Sequence, residues 1–354
     1  MSENGMSDNG HLLEVKDLAV QFKTDEGIVR AVNGIAYELA AGGSLGIVGE
    51  SGSGKSVSSL ALLRLIPQPA GQITGGEVMF GDTNVMDIDP EEIIETRAGR
   101  VSLLQIPPNE MRGIRGGKIS MIFQDPMSSL NPVLTVGRQI DEAQRLHLGV
   151  SKDEARAHTV ELLDRVGIPS PAERANDYPH QLSGGMQQRA MIAMAISCQP
   201  QLLIADEPTT ALDVTIQAQV IELISSLREE LGMAAILITH DLALVAGFCQ
   251  EIVVMYGGYI VERASGRDIF YTPKHPYTIG LLESMPSISA ARGDRLSAIP
   301  GAPPDMTNLP VGCPFAPRCR FVKDKCIEEM PPVETIDDGR SLRCWVDVDT
   351  GELR

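Results

Sequence analysis

GESGSGKS, residues 49–56, is the stretch on which the fold of this chain turns. It fits the pattern G-x-x-x-x-G-K-[ST]. An apolar run, GSLGIV (43–48), precedes it, and VSSLALLRLI (57–66), which reads as a helix, follows. Glycines at 49, 52 and 54, with Ser51 among them, let backbone N–H groups turn inward around phosphate oxygens. The N-terminus of the following helix adds a favourable dipole. Lys55 supplies positive charge at the outer phosphates, and Ser56 offers an oxygen to Mg²⁺. A glycine-rich turn without a ligand is the competing reading, and the flanking strand and helix argue against it.

Two further stretches carry related chemistry. LLIADEP (202–208) is an apolar strand that ends in two carboxylates. Asp206 at its tip suits Mg²⁺, and Glu207 suits polarisation of an attacking water. HQLSGGMQQRAMIAMAI (180–196) sets Ser183, Gly184 and Gly185 at the start of a helical run. A hydroxyl and bare N–H groups at a helix N-terminus form a second anion site. One nucleotide needs two such cradles only if its site closes between subunits.

Around these motifs the chain alternates strand and helix signals. LLEVKDLAVQF (12–22) has the period of a half-buried strand. DEARAHTVELLDRVGI (153–168) is an amphipathic helix with Val160, Leu163 and Val166 on a similar face. QLLIADEP (201–208), AAILITHD (234–241) and EIVVMYGGYIVE (251–262) are short runs rich in β-branched residues, separated by helical segments such as TIQAQVIELISSLREELG (215–232). That alternation predicts an α/β fold with a mainly parallel sheet. Residues 67–117 have weak periodicity, with one clear strand near GEVMF (76–80). After Phe270 prolines multiply and periodicity ends, so the expected division is a tail over 1–11, a core domain over 12–270 and an extension over 271–354.

Composition narrows the setting. The 354 residues carry a formal net charge of −17 and are 43% hydrophobic, which suits a folded chain with a substantial core. The negative balance argues against nucleic acid as a partner, since affinity for its backbone comes from Lys and Arg. MSENGMSDNGHLLEV lacks the apolar stretch of a signal peptide and reads as a disordered tail, with Met6 an alternative start. No run approaches the roughly 20 apolar residues needed to cross a bilayer. The expected compartment is the cytosol, where disulfides are disfavoured.

Taken together, the motifs resemble those of the ATP-binding cassette (ABC) ATPases over nearly all of residues 12–265. They run in order: the P-loop at 49–56, Gln124 in MIFQDP, the signature LSGGMQQR (182–189), Asp206 and Glu207, ALD (211–213) with Asp213, and His240 in ITHD. The resemblance implies a mainly parallel core sheet, an antiparallel β subdomain and a helical signature subdomain. It also implies a head-to-tail dimer with two ATP molecules between the chains, each P-loop facing the partner's LSGG. Glu207 would act as general base or orient the water, and His240 would contact the γ-phosphate. Gln124 would sense Mg²⁺ alongside Ser56 and Asp206. Phe22 aligns with the aromatic that stacks on adenine; a buried strand phenylalanine is the alternative.

QDPMSSLNPVLTVGRQI (124–140), HPYTIGLLESMP (275–286) and IPGAPPDMTNLPVGCPFAPRC (299–319) resemble the importers of dipeptides, oligopeptides and nickel. That implies a subunit on the cytoplasmic face of the inner membrane. Its partners would be two transmembrane permeases, a second ATPase chain and, indirectly, an extracellular substrate-binding protein. Peptide uptake is the leading expectation; nickel or oligosaccharide uptake and a non-transport ATPase are alternatives. The loop at 96–117 is longer than the resemblance leads one to expect, as a surface insertion or a partner contact.

Six cysteines remain. Cys198 and Cys249 read as buried core thiols. Cys313, Cys319, Cys326 and Cys344 form C-x5-C-x6-C-x17-C. Four thiols without a competing histidine suit tetrahedral Zn²⁺ or a [4Fe–4S] cluster. The gaps exceed the usual spacing of structural zinc sites, which favours the cluster. The resemblance points the same way, since some peptide-importer ATPases carry one in this extension. Its expected role is to staple a segment too poor in apolar residues to form its own core.

Overall fold

The computed structural model describes residues 10–81, 96–97, 100–125, 129–210, 212–285, 298–336 and 339–354. Most of the expected tail, Ala211 and parts of the 96–117 loop lie outside them.

The strand Ser44–Val48, which leads into GESGSGKS, is buried at all five positions. It pairs in parallel with Ala234–Thr239 on one side and Glu251–Tyr256 on the other. Leu202–Asp206 and then Ile119–Ile122 continue the parallel sheet beyond Ala234–Thr239. Strands covered on both faces need no polar side, which is why these segments read as unbroken apolar runs. Leu45 and Ile47 face one core cluster, and Val48 faces the other.

The first cluster lies under a five-stranded antiparallel sheet built mainly from His11–Thr24, Gly27–Ala40 and Gly71–Phe80. The second lies under the helices. Val136–Leu148, Lys152–Arg165 and Gly184–Ile196 bury Ile140, Leu163 and Met191 there. Lys152–Arg165 begins with a reciprocal cap: Ser151 accepts from the Glu154 N–H, and the Glu154 carboxylate accepts from the Ser151 N–H.

Several expectations shift in detail. The helix expected over 57–66 spans Lys55–Leu62. It is closed by Arg64 N–H to the Ala61 carbonyl and Leu65 N–H to the Leu60 carbonyl, with Arg64 in the left-handed region at φ 51. EIVVMYGGYIVE is a hairpin rather than one strand: Gly257 and Gly258 turn it, and Tyr259–Ser265 runs back antiparallel. Residues 67–117 also hold the strand Arg100–Ser102 and the helix Pro108–Ile114. Both are too short to leave a periodic trace.

The chain after Phe270 continues the same body. Tyr277 in the helix Pro276–Glu283 and Phe315 belong to the cluster under the helices. The hairpin of Glu334–Ile336 and Arg340–Leu342 adds to the main sheet beside Tyr259–Ser265. No helix among the described residues is long and apolar enough to cross a membrane.

Candidate nucleotide site

The glycine-rich loop crosses from its strand to its helix in a conformation that side chains would block. Gly49 has φ 154, and a Cβ there would lie 2.2 Å from the Met255 carbonyl oxygen. At Gly54, φ 98, a Cβ would lie 2.2 Å from the Ala31 carbonyl oxygen. Lys55 is buried, and its Nζ donates to the carbonyls of Gly49 at 2.8 Å and Glu50 at 3.0 Å. Burial lowers its pKa, while the nearby carboxylates of Glu207, Asp206 and Glu50 act the other way.

Three strand ends meet this loop. Asp206 closes Leu202–Asp206, and its Oδ1 accepts from Ser56 Oγ at 2.8 Å. Burial raises the Asp206 pKa against that hydrogen bond. Two such oxygens suit Mg²⁺, which takes one or two protein donors and completes its shell with water and phosphate. Glu207 follows with φ 45. Its Oε2 accepts from Gln124 Nε2 at 2.9 Å and from Thr210 Oγ1 at 3.1 Å, and His240 Nδ1 lies 3.4 Å from its Oε1. Gln124, Glu207 and His240 line a cleft of about 720 Å³ with Glu50, Lys55 and Ser56. The volume is within the range of small-molecule sites.

Other expected residues stand elsewhere. Ser183 and Gly184 are exposed, and Gly185 half-buried, at the N-terminus of Gly184–Ile196; Ser183 Oγ accepts from the Met186 N–H. None of the three lines the cleft. Asp213 caps the helix Val214–Leu231 by accepting from the Thr215 and Ile216 N–H groups. Phe22 is partly buried outside the cleft, with its ring against Gly71.

Sequence reasoning missed a third wall. Leu281, Ser284, Ala298 and Ile299, all beyond residue 270, line the same cleft. Tyr277 Oη accepts from the Glu50 N–H at 2.7 Å. Thr210 also went unread, since its hydroxyl matters only through the carboxylate it meets.

Cys313, Cys319, Cys326 and Cys344 line one small, apolar cavity with His275, Phe315 and Trp345 among its walls. All six cysteines are free. Burial pushes Cys313 up to about 11 and Cys344 up to about 12, and raises Cys319. Among the described residues no three His, Cys, Asp or Glu side chains are grouped so as to hold a metal ion. Cys198 and Cys249 are buried elsewhere in the core, and burial raises both.

A family profile described as ABC transporter matches residues 32–210. The chain belongs to that family. A second profile, "Oligopeptide/dipeptide transporter, C-terminal region", matches residues 261–326 of this ABC ATPase. Among its relatives is the probable peptide ABC transporter ATP-binding protein y4tR of Sinorhizobium fredii, 49% identical over 94% of each chain. The oligopeptide transport ATP-binding protein OppD of Bacillus subtilis is 48% identical over 95% of this chain and 88% of its own length. OppD of Escherichia coli is 47% identical over 96% and 94%. Among solved structures, the ATP-binding cassette MJ0796, described as a dimer in a post-hydrolysis state bound to ADP and Pi, matches with a TM-score of 0.59. It is 27% identical and covers 72% of this chain and 99% of its own.

Proposed function

We propose that this ABC ATPase binds and hydrolyses ATP to drive peptide uptake through partner permeases. The observation that carries the reading is the match of residues 261–326 to the oligopeptide/dipeptide C-terminal region, on a chain whose cleft holds the phosphate loop and Glu207 together. In this reading Gly49, Ser51, Gly52 and Gly54 cradle the phosphates, and Lys55 neutralises the outer ones. Ser56 and Asp206, with Gln124, hold Mg²⁺, which when bound draws charge from the β- and γ-phosphates. Glu207 orients the attacking water, and His240 contacts the γ-phosphate. Phe22 stacks on adenine. Ser183, Gly184 and Gly185 serve the nucleotide on a second ATPase chain, and Asp213 lies at that junction.

Two transmembrane permeases and, indirectly, an extracellular substrate-binding protein complete the assembly, with this chain on the cytoplasmic face of the inner membrane. Residues 12–270 form the ATPase domain and 271–354 the extension. Cys313, Cys319, Cys326 and Cys344, four free thiols on one cavity with Cys326 buried and the others half-buried, would hold a [4Fe–4S] cluster as a structural staple once drawn together around it; the support is the all-thiol donor set, not the present grouping of the side chains. The transport reading is tested by purifying the chain from native membranes. Two hydrophobic permeases should accompany it, and peptide with its binding protein should stimulate ATP hydrolysis in vesicles. High activity alone, or stimulation by DNA or ribosomes, would overturn it.

A further inference from the structure

The phosphate loop carries an acid, Glu50, whose carboxylate borders the cleft. A negative charge there repels a polyphosphate unless it is neutralised. The neutralising group comes from the far end of the chain. Arg318 Nη1 donates to Glu50 Oε2 at 2.6 Å and Nη2 to Oε1 at 3.0 Å, the paired geometry a guanidinium and carboxylate prefer.

The remaining donors of Arg318 are also used. Nε donates to the Pro300 carbonyl at 2.9 Å, Nη1 to Tyr256 Oη at 3.2 Å and Nη2 to the Ile299 carbonyl at 3.4 Å. All five N–H donors of the guanidinium therefore have an acceptor. The side chain is buried, and its plane lies near the Tyr256 and Phe315 rings. A buried guanidinium this fully paired is fixed in place, and the Glu50 carboxylate is fixed with it.

We propose that Arg318 is a positioning residue for nucleotide binding: it neutralises Glu50 and holds its carboxylate away from the phosphates. The inference rests on the reading of GESGSGKS as the ATP site. It makes the extension part of that site electrostatically, as Leu281 and Ile299 make it part by shape.

The experiment measures ATP affinity of the full chain with a fluorescent ATP analogue, as a function of salt, for R318M, E50Q, E50Q/R318M and K55A. R318M should weaken binding roughly tenfold, the effect of one uncompensated charge several ångströms from the phosphates. The loss should shrink as salt rises, which a merely structural defect would not do. E50Q/R318M should return to within about twofold of the natural chain, because removing both partners leaves no stranded charge. E50Q alone should bind ATP more tightly.

Unchanged affinity in R318M would overturn the proposal, as would a double variant as weak as R318M. If R318M fails to fold, E50Q decides: tighter binding supports the proposal, and weaker or unchanged binding overturns it. K55A separates the two levels. If it binds ATP as the natural chain does, the site reading itself fails; if it loses binding while R318M keeps it, only the role of Arg318 fails.

Discussion

Glu207 shows how much one side chain depends on its neighbours. Gln124, Thr210 and His240 reach it from three separate segments, and its backbone is held at φ 45. Glu207→Gln keeps the shape and loses the carboxylate charge on which its proposed role rests, so ATP hydrolysis should fall roughly 10²–10⁴-fold while ATP still binds. Phosphate release in the assembled transporter measures this, and near-normal turnover would remove Glu207 from its role. Thr210→Val deletes one of the three holds. It should lower kcat several-fold with little change in KM, since the hydroxyl meets the carboxylate and not the nucleotide. The two acids and the phosphate loop were legible because each sits at a strand end, where spacing and apolar context frame it. Tyr277 and Arg318 were not, because they meet Glu50 across more than 220 residues of sequence. One signal was available: an acid inside a phosphate loop is a charge in need of a partner.

Among the elements, the helical layer depends on a buried polar pair as well as on apolar faces. Gln144 in Val136–Leu148 donates from Nε2 to Thr159 Oγ1 in Lys152–Arg165 at 2.9 Å, and both residues are buried. Thr159→Val preserves shape but strands the Nε2 donor of Gln144, whose Oε1 stays with His158 Nδ1, so it should cost about 1–3 kcal/mol. Urea unfolding measures the loss, and Thr159→Ser should recover much of it. The amphipathic face of this helix was readable, with Leu163 and Val166 fully buried, whereas the pairing of Gln144 with Thr159 has no period to announce it. The hairpin inside EIVVMYGGYIVE was obscured for a related reason. Both of its strands are largely buried, so only Gly257 and Gly258 mark the reversal.

For the whole molecule, the proposed sharing of a nucleotide between two chains would bring the exposed start of Gly184–Ile196 to a partner's cleft. Glu207→Gln with ATP and Mg²⁺ should double the mass measured by light scattering, and ADP should not. A chain that stays monomeric in both would count against a nucleotide shared between subunits. The proposed cluster makes a separate prediction. Anaerobic purification should give a brown protein with broad visible absorption and iron and sulfide in equal amounts. A colourless protein with one zinc per chain would replace the cluster with a single ion.

The terminal hairpin of Glu334–Ile336 and Arg340–Leu342 has a consequence for shortening the chain. It covers Tyr259–Ser265, whose other side is taken by Glu251–Tyr256. A protein ending near residue 330 would retain every motif of the ATP site and still be a poor protein. Its main sheet would finish in a bare strand, with unpaired N–H and C=O groups facing solvent along an apolar face. Such a fragment should self-associate through that border, which light scattering of the shortened chain would show as a mass rising with concentration.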